Sequence, residues 1–201
     1  MTKLSEVRKA LAYYLTRPVV RILAKTPVSP NTISWFGLLL TLGAAALIIT
    51  GHLFAAGFGV LFTGFFDTLD GALARSTNRI TCFGGILDST LDRLSEAVLL
   101  LGILIFYVLT APERPVVPVV LVSLALMGSF LVSYIRARAE GAGLECQVGF
   151  FTRAERVVVL ALGLLLNQIG YALIVALSVI MVFNFVTVGQ RLLYVWRQTK
   201  N

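Results

Sequence analysis

Four aspartates stand where an apolar chain should carry none. Asp67 and Asp70 follow a hydrophobic run from Leu53 to Phe66, and Asp88 and Asp92 stand at the start of another, Phe83 to Leu109. Their spacings, i, i+3 and i, i+4, put each pair on one face of a helix. An ionised carboxylate at membrane depth costs several kcal/mol unless it is paired or coordinated. Arg75 and Arg93, the nearest cations in sequence, cannot balance four charges. The connection 76–83 is short enough to make the two helices antiparallel neighbours whose acidic faces meet. Four carboxylates from two helices form an oxygen-only donor set that suits Mg²⁺ or Mn²⁺, and they can bridge two ions ~3.5–4 Å apart. Gly71 and Ala74 leave the helix surface bare beside the acids, so that a bulky ligand such as a nucleotide can approach. Arg75 and Thr81 are placed to meet its phosphates.

The elements that carry these residues follow from composition. Of 201 residues, 58% are apolar and 13% charged, and mean hydropathy is +0.89. The charged share is about half that of a soluble domain. A disordered chain, a disulfide scaffold and an ordinary soluble enzyme are excluded. What remains is an all-α polytopic membrane protein, read as one domain over residues 1–201. A bilayer core takes ~20 helical residues. Ile33 to Thr50 is the first span, with Pro30 and Asn31 as its start signal. The second runs from Leu53 to about Ala74, the third from Phe83 to Leu109 and the fourth from Val116 to Ile135. Val157 to Gln190 is uncharged but too long for one crossing. It divides at Asn167-Gln168 and Gly170, and its first half is a short fifth span borrowing residues from Thr152 onward. The expectation is a six-helix bundle over 30–195, preceded in 1–25 by an amphipathic helix on the headgroups that is interrupted near Pro18.

Net charge is +7, from 17 Lys and Arg against 10 Asp and Glu. With so little polar surface the cations face lipid headgroups or an anionic substrate, and no nucleic acid is expected. With six spans, fifteen of the 17 cations fall on one side, leaving Arg114 opposite and Arg93 within a span. Both termini and the acids are therefore expected on the cytoplasmic face of the cell membrane. Cys82 and Cys146 are expected as reduced thiols, His52 as an interfacial turn residue, and no signal peptide is visible.

A second polar cluster, Ser133-Tyr-Ile-Arg136-Ala-Arg138-Ala-Glu140 and then Arg153-Ala-Glu155-Arg156, holds more arginine than its own glutamates need. Clustered arginines beside a serine hydroxyl suit a phosphate dianion. A carboxylate-driven ion transporter predicts acids near mid-membrane and an internal repeat, and neither is visible.

The pattern D-x2-D-G-x2-A-R-x8-G-x3-D-x3-D, complete over Asp67–Asp92, resembles the signature of the CDP-alcohol phosphotransferase family. The resemblance implies a six-helix membrane enzyme that moves a phosphatidyl or similar group from a CDP-alcohol to an acceptor hydroxyl and releases CMP. It implies two Mg²⁺ ions, with Mn²⁺ as an alternative: one on Asp67, Asp70 and Asp88, the other on Asp67, Asp88 and Asp92, with Asp92 also the base. By the same resemblance Gly71, Ala74, Arg75 and Thr81, with Asn31, Thr32, Ile33 and Ser34, hold the CDP part of the donor. The second cluster is similar to the S-Y-x-[KR]-A-R-A-E…R-x-E-R pattern of bacterial phosphatidylinositol-phosphate synthases. It implies inositol phosphate as acceptor and CDP-diacylglycerol as donor. Ser133, Arg136, Arg153, Arg156 and Arg191 are then the acceptor-phosphate contacts, and a homodimer is expected. Phosphatidylglycerophosphate and archaetidylinositol phosphate synthesis stay open as alternatives.

Overall fold

The computed structural model describes residues 16–78, 80–110, 115–149 and 151–200. Six helices follow residues 16–23, which are themselves helical: α1 (Pro30–Ile49), α2 (Leu53–Ser76), α3 (Cys82–Thr110), α4 (Val116–Gly141), α5 (Arg153–Leu165) and α6 (Ala172–Thr199). No strand occurs among the described residues. Five of the six are long and apolar enough to cross a bilayer. α5, of 13 residues, is the short fifth element expected from Thr152 onward and rises only ~20 Å.

Local chemistry sets the ends. Pro30 begins α1, where its missing N–H costs nothing, and the Ser29 hydroxyl accepts from the Thr32 amide at 3.2 Å. α5 starts with a capping box, in which the Glu155 carboxylate accepts from the Thr152 amide at 2.7 Å. The turn 166–171 falls where Asn167, Gln168 and Gly170 place it.

The packed pairs are α1 with α2 and α3, α2 with α5, α5 with α6, α6 with α4 and α4 with α3. They close a ring in the order α1-α2-α5-α6-α4-α3. Here the structure corrects an expectation. α2 and α3 are not a principal packed pair; α1 lies against both, so the two acid-bearing helices stand on either side of it. α5 runs antiparallel along α2, with Arg153 at Asp67, Val157 at Gly64 and Leu165 at Gly57. Lipid tails supply no hydrophobic drive between helices, so such seams depend on close van der Waals contact at small residues. A Cβ on Gly64 would come within 2.9 Å of Val157 Cγ1. The main core, including Ile48, Val60, Ile103, Val122, Leu164 and Leu177, fills the ring, while Trp35, Leu39, Phe54, Phe58 and Phe62 face outward.

Of the expected amphipathic helix, residues 1–15 lie outside the described residues. Residues 16–23 are helical with Pro18 in the first described turn, where proline is tolerated, and the Ala24 amide donates to the Val20 carbonyl at 2.8 Å. Val20 is buried with Ile33, Leu69 and Leu73 in a second cluster against which Leu23 packs. The segment is thus fastened to α1 and α2.

Gly64→Leu is expected to wedge α5 away from α2, at a cost of about 1–3 kcal/mol. A lower midpoint of thermal unfolding in detergent micelles would register it, and an unchanged midpoint would contradict the packing described.

Candidate active site

The helix ends that meet at one end of the ring are the start of α1, the second half of α2, the start of α3, the last turns of α4, the start of α5 and the last turns of α6. Each contributes a polar side chain, and most of these groups find their partner on a different helix.

Asp70 is buried, and its carboxylate is fixed on both sides. The Ser34 hydroxyl donates to Oδ2 at 2.5 Å, and the Gly71 amide donates to Oδ1 at 2.5 Å. Asp67, one turn earlier, is reached from α5: Arg153 Nη2 donates to its Oδ2 at 2.5 Å, and Arg153 Nη1 donates to Asp92 Oδ1 on α3. One guanidinium therefore spans the ring between the two acidic helices. Arg93 lies 3.9 Å from Asp92. Asp88 makes no side-chain hydrogen bond among the described residues, and it stands within electrostatic reach of Asp67, Asp70 and Arg153. The four acids do converge on one end of the bundle, across a gap instead of along a shared seam. Arg153 occupies that gap, and no group of three or more His, Cys, Asp or Glu among the described residues forms a ready cage for an ion. The donor set still fits hard divalent cations: four carboxylates, oxygen only, from two facing helices, with Asp88 free of competing hydrogen bonds.

A cavity of about 950 Å³ opens beside them. Asp67, Asp70, Gly71, Arg75 and Asp88 line one wall, and Arg17, Val20 and Arg21 line the other. Arg75 folds back over Gly71, with Nη1 3.4 Å from the position a Cβ would take there. The cavity is large enough for a nucleotide. Arg17 and Arg21 were missed as lining residues. Their charge pattern signals a membrane surface equally well, and only the burial of Val20 turns them toward the acids.

The expected donor residues divide. Gly71 and Arg75 line the cavity, where Ala72 stands in place of the half-buried Ala74. Asn31 and Thr81 come together at the start of α3, both within 3.4 Å of the position a Gly84 Cβ would take, and Thr81 Oγ1 accepts from the Gly84 amide at 2.9 Å. Thr32 caps α1 through Ser29, Ile33 is core, and Ser34 acts on Asp70.

The acceptor residues divide further, and Arg153 and Arg156 are each answered by an acid from another helix. Arg153 is held by Asp67 and Asp92. Arg156 is buried against Glu96, its Nε donating to Oε1 at 2.5 Å and its Nη2 to Oε2 at 3.0 Å. Arg191 is buried and serves the backbone, donating to the Val148 carbonyl at 3.0 Å and to the Val132 carbonyl. Arg136 is exposed and pairs with Glu140 at 2.7 Å, and the Ser133 hydroxyl returns to the Ser129 carbonyl at 3.1 Å. The structure does not gather these five around one pocket. Local glutamates could not reveal this, because the true partners of Arg153 and Arg156 are 60 or more residues away in sequence.

Glu96 was also missed. Four residues beyond Asp92, it continues the acidic face of α3 one turn deeper. The Ser129 hydroxyl donates to it at 2.8 Å, and Asn184 Nδ2 donates to that hydroxyl at 2.9 Å. α3, α4, α5 and α6 are joined by this chain. Between it and the acids lies a pore of about 20 Å³ lined by Thr41, Asp67, Ser95, Glu96, Arg153 and Arg156. Cys82 is exposed, Cys146 is buried, and both are free thiols.

The sequence model of the CDP-alcohol phosphatidyltransferase family matches residues 27–189. Archaetidylinositol phosphate synthase of Methanothermobacter thermautotrophicus is 37% identical over 191 residues, covering 92% of this chain and 94% of that one. Phosphatidylinositol phosphate synthase of Mycobacterium tuberculosis is 34% identical over 202 residues, covering 98% and 92%. A crystal structure of the mycobacterial protein with CDP-DAG bound superposes with a TM-score of 0.82 at 33% identity, over 91% of this chain and 94% of that one. A second, in complex with manganese and citrate, gives 0.81 at 34% identity, over 90% and 88%.

Glu96→Ala is expected to leave the Arg156 charge buried and unpaired. Loss of one partner of such a pair costs about 3–5 kcal/mol. Thermal unfolding in micelles should drop steeply, and a stability equal to wild type would show that the pair carries no such burden.

Proposed function

This chain belongs to the CDP-alcohol phosphatidyltransferase family and is an enzyme of that class, and from that premise we propose that it makes phosphatidylinositol phosphate. The donor is CDP-diacylglycerol, the acceptor is inositol phosphate, and CMP leaves. The observation that carries the reading is the set of three carboxylates, Asp67, Asp70 and Asp88, at the wall of a nucleotide-sized cavity also lined by Arg17, Arg21 and Arg75, with Asp92 tied to Asp67 through Arg153. Similarity over nearly the whole chain to proteins named for inositol phosphate transfer supports the choice of acceptor.

In this reading Asp67, Asp70, Asp88 and Asp92 hold two divalent ions, Mg²⁺ or Mn²⁺. Divalent ions held there would neutralise the donor's pyrophosphate and stabilise the charge on departing CMP. The rest falls to the chain. Ser34 and the Gly71 amide fix the orientation of Asp70. The open surface at Gly71 admits the nucleotide, and Arg75 folds over it to meet phosphate oxygens. Asp92 takes the proton from the acceptor hydroxyl as its oxygen attacks the phosphatidyl phosphorus and the pyrophosphate bond breaks. Arg153, beside Asp92, is placed to hold the acceptor's phosphate. Arg156 and Arg191 act behind it, the first by anchoring α5 and the second by fixing the loop that leads into it. The positive-inside distribution supports a cytoplasmic site with both termini on that face, and we retain a homodimer as the assembled form.

Transfer to an ether-lipid donor is a second reading, favoured by the 37% identity to the archaetidylinositol phosphate synthase. The same headgroup chemistry serves both, and diacyl and diether donors offered in competition separate them.

Purified protein in micelles, given CDP-diacylglycerol and Mg²⁺, is expected to release CMP with inositol phosphate and not with glycerol phosphate, inositol or serine. Release with glycerol phosphate alone would reassign the acceptor. Asp92→Asn is expected to slow CMP release by about 10²-fold or more while donor binding persists. Lost donor binding with intact turnover would remove Asp92 from the role of base.

A further inference from the structure

Arg153 does more than neutralise charge. Its two terminal nitrogens take one oxygen each of Asp67 and Asp92, which are oxygens a hard cation would also take. Around it the backbone is held. The capping box at Thr152 and Glu155 fixes the first turn of α5, and Arg156 is locked to Glu96 and cannot follow. The Arg153 Nε is buried and without a hydrogen-bond partner among the described residues, so the side chain is held only at its tip, by the two carboxylates. A guanidinium and a divalent ion cannot share the same carboxylate oxygens, since like charges at contact repel strongly where solvent is scarce.

We infer that Arg153 is an exchangeable counter-ion: divalent cations displace it from Asp67 and Asp92, and the freed guanidinium then binds a phosphate of the incoming acceptor. The inference rests on the reading that these aspartates hold divalent ions. One side chain thereby couples two ligands. Cation binding creates the anion site, and by reciprocity the anion tightens cation binding by the same factor. Before the ions arrive, the same contact ties the start of α5 to both acidic helices.

The test uses the full chain in detergent micelles. Free Mn²⁺ is followed by its electron paramagnetic resonance signal, and inorganic phosphate serves as the anion probe. Arg153→Ala is expected to bind Mn²⁺ more tightly than wild type by on the order of tenfold, within the usual range of coupling between sites. Arg153→Lys keeps the charge but cannot fork across two carboxylates, so it falls between them and preserves the comparison if the alanine variant does not fold. Arg93→Ala removes a charge that approaches Asp92 only to 3.9 Å, and it should shift the affinity much less. In wild type, phosphate is expected to bind measurably only with Mn²⁺ present. Equal Mn²⁺ affinity in wild type and both Arg153 variants would overturn the exchange and leave the metal reading intact. An Arg93→Ala shift as large as that of Arg153→Ala would overturn the bridge as its cause. Phosphate binding that ignores Mn²⁺ would overturn the coupling. Failure of wild type to take up Mn²⁺ at all would overturn the metal reading itself.

Discussion

The constraint on which the structure depends is that negative charge inside an apolar ring must be answered by positive charge from another helix. A carboxylate on α2 or α3 cannot stay ionised against lipid-facing neighbours. The answer at Asp67 and Asp92 is Arg153 from α5, and at Glu96 it is Arg156 from the same helix. Two arginines three positions apart thus draw the first turn of α5 into the space between α2 and α3. This accounts for a helix of 13 residues standing in a ring of longer ones. It begins at the level of the acids, well inside the end of α2, because its arginines are needed there.

The polar groups form two tiers with different relations to solvent. Asp70 and Asp88 line the open cavity, whereas Glu96, Ser129 and Asn184 lie deeper, where no cavity of that size reaches. The hydrogen bonds of the lower tier cross between helices, Arg156 to Glu96, Ser129 to Glu96 and Asn184 to Ser129, beside the Arg93–Glu96 ion pair within α3. These links tie α3, α4, α5 and α6 together even though Arg156 Nη1 and Asn184 Oδ1 are buried without a hydrogen-bond partner among the described residues. The lower tier therefore fixes where the floor of the upper tier lies.

Much of this was legible in the residue order, and the reasons for the rest are physical. Hydropathy runs found α1 to α4 and the divided α5 and α6, since a bilayer reads length and polarity with little regard for packing. The four aspartates announced themselves by being costly. What stayed hidden were pairings set by the ring. The short connection between α2 and α3 argued for direct neighbours, yet α2 carries the small residues that let α1 and α5 lie against it, at Gly59 and Gly64. The arginines after Phe151 read as a surplus because Glu155, close in sequence, is spent on capping its own helix. Glu96 continued the spacing of Asp88 and Asp92 and was passed over as an ordinary acid. Thr32, Ile33 and Ser34 share one motif but have three separate jobs, because on a helix consecutive residues point in different directions.

Charge distribution and charge contact do different work here. Among the described residues, Arg17, Arg21, Arg75, Arg93 and Arg153 stand at the acid end of the bundle, and a field of that sign raises the local concentration of an anion over a range set by ionic strength. A field of that kind cannot tell one phosphorylated alcohol from another. Selection has to come from short contacts in fixed positions. Of the five polar residues first associated with the acceptor, Arg156 and Arg191 are buried in structural bonds, Arg136 and Ser133 are engaged on α4, and Arg153 alone touches the acids. On the proposed acceptor site, discrimination between acceptors would be built from the shape around Arg153, with Arg156 and Arg191 fixing that shape. In that proposal an acceptor differing only in its ring or chain would be judged by the walls of that gap, and its phosphate would be recognised by one guanidinium at a helix start that is capped and tied to Glu96.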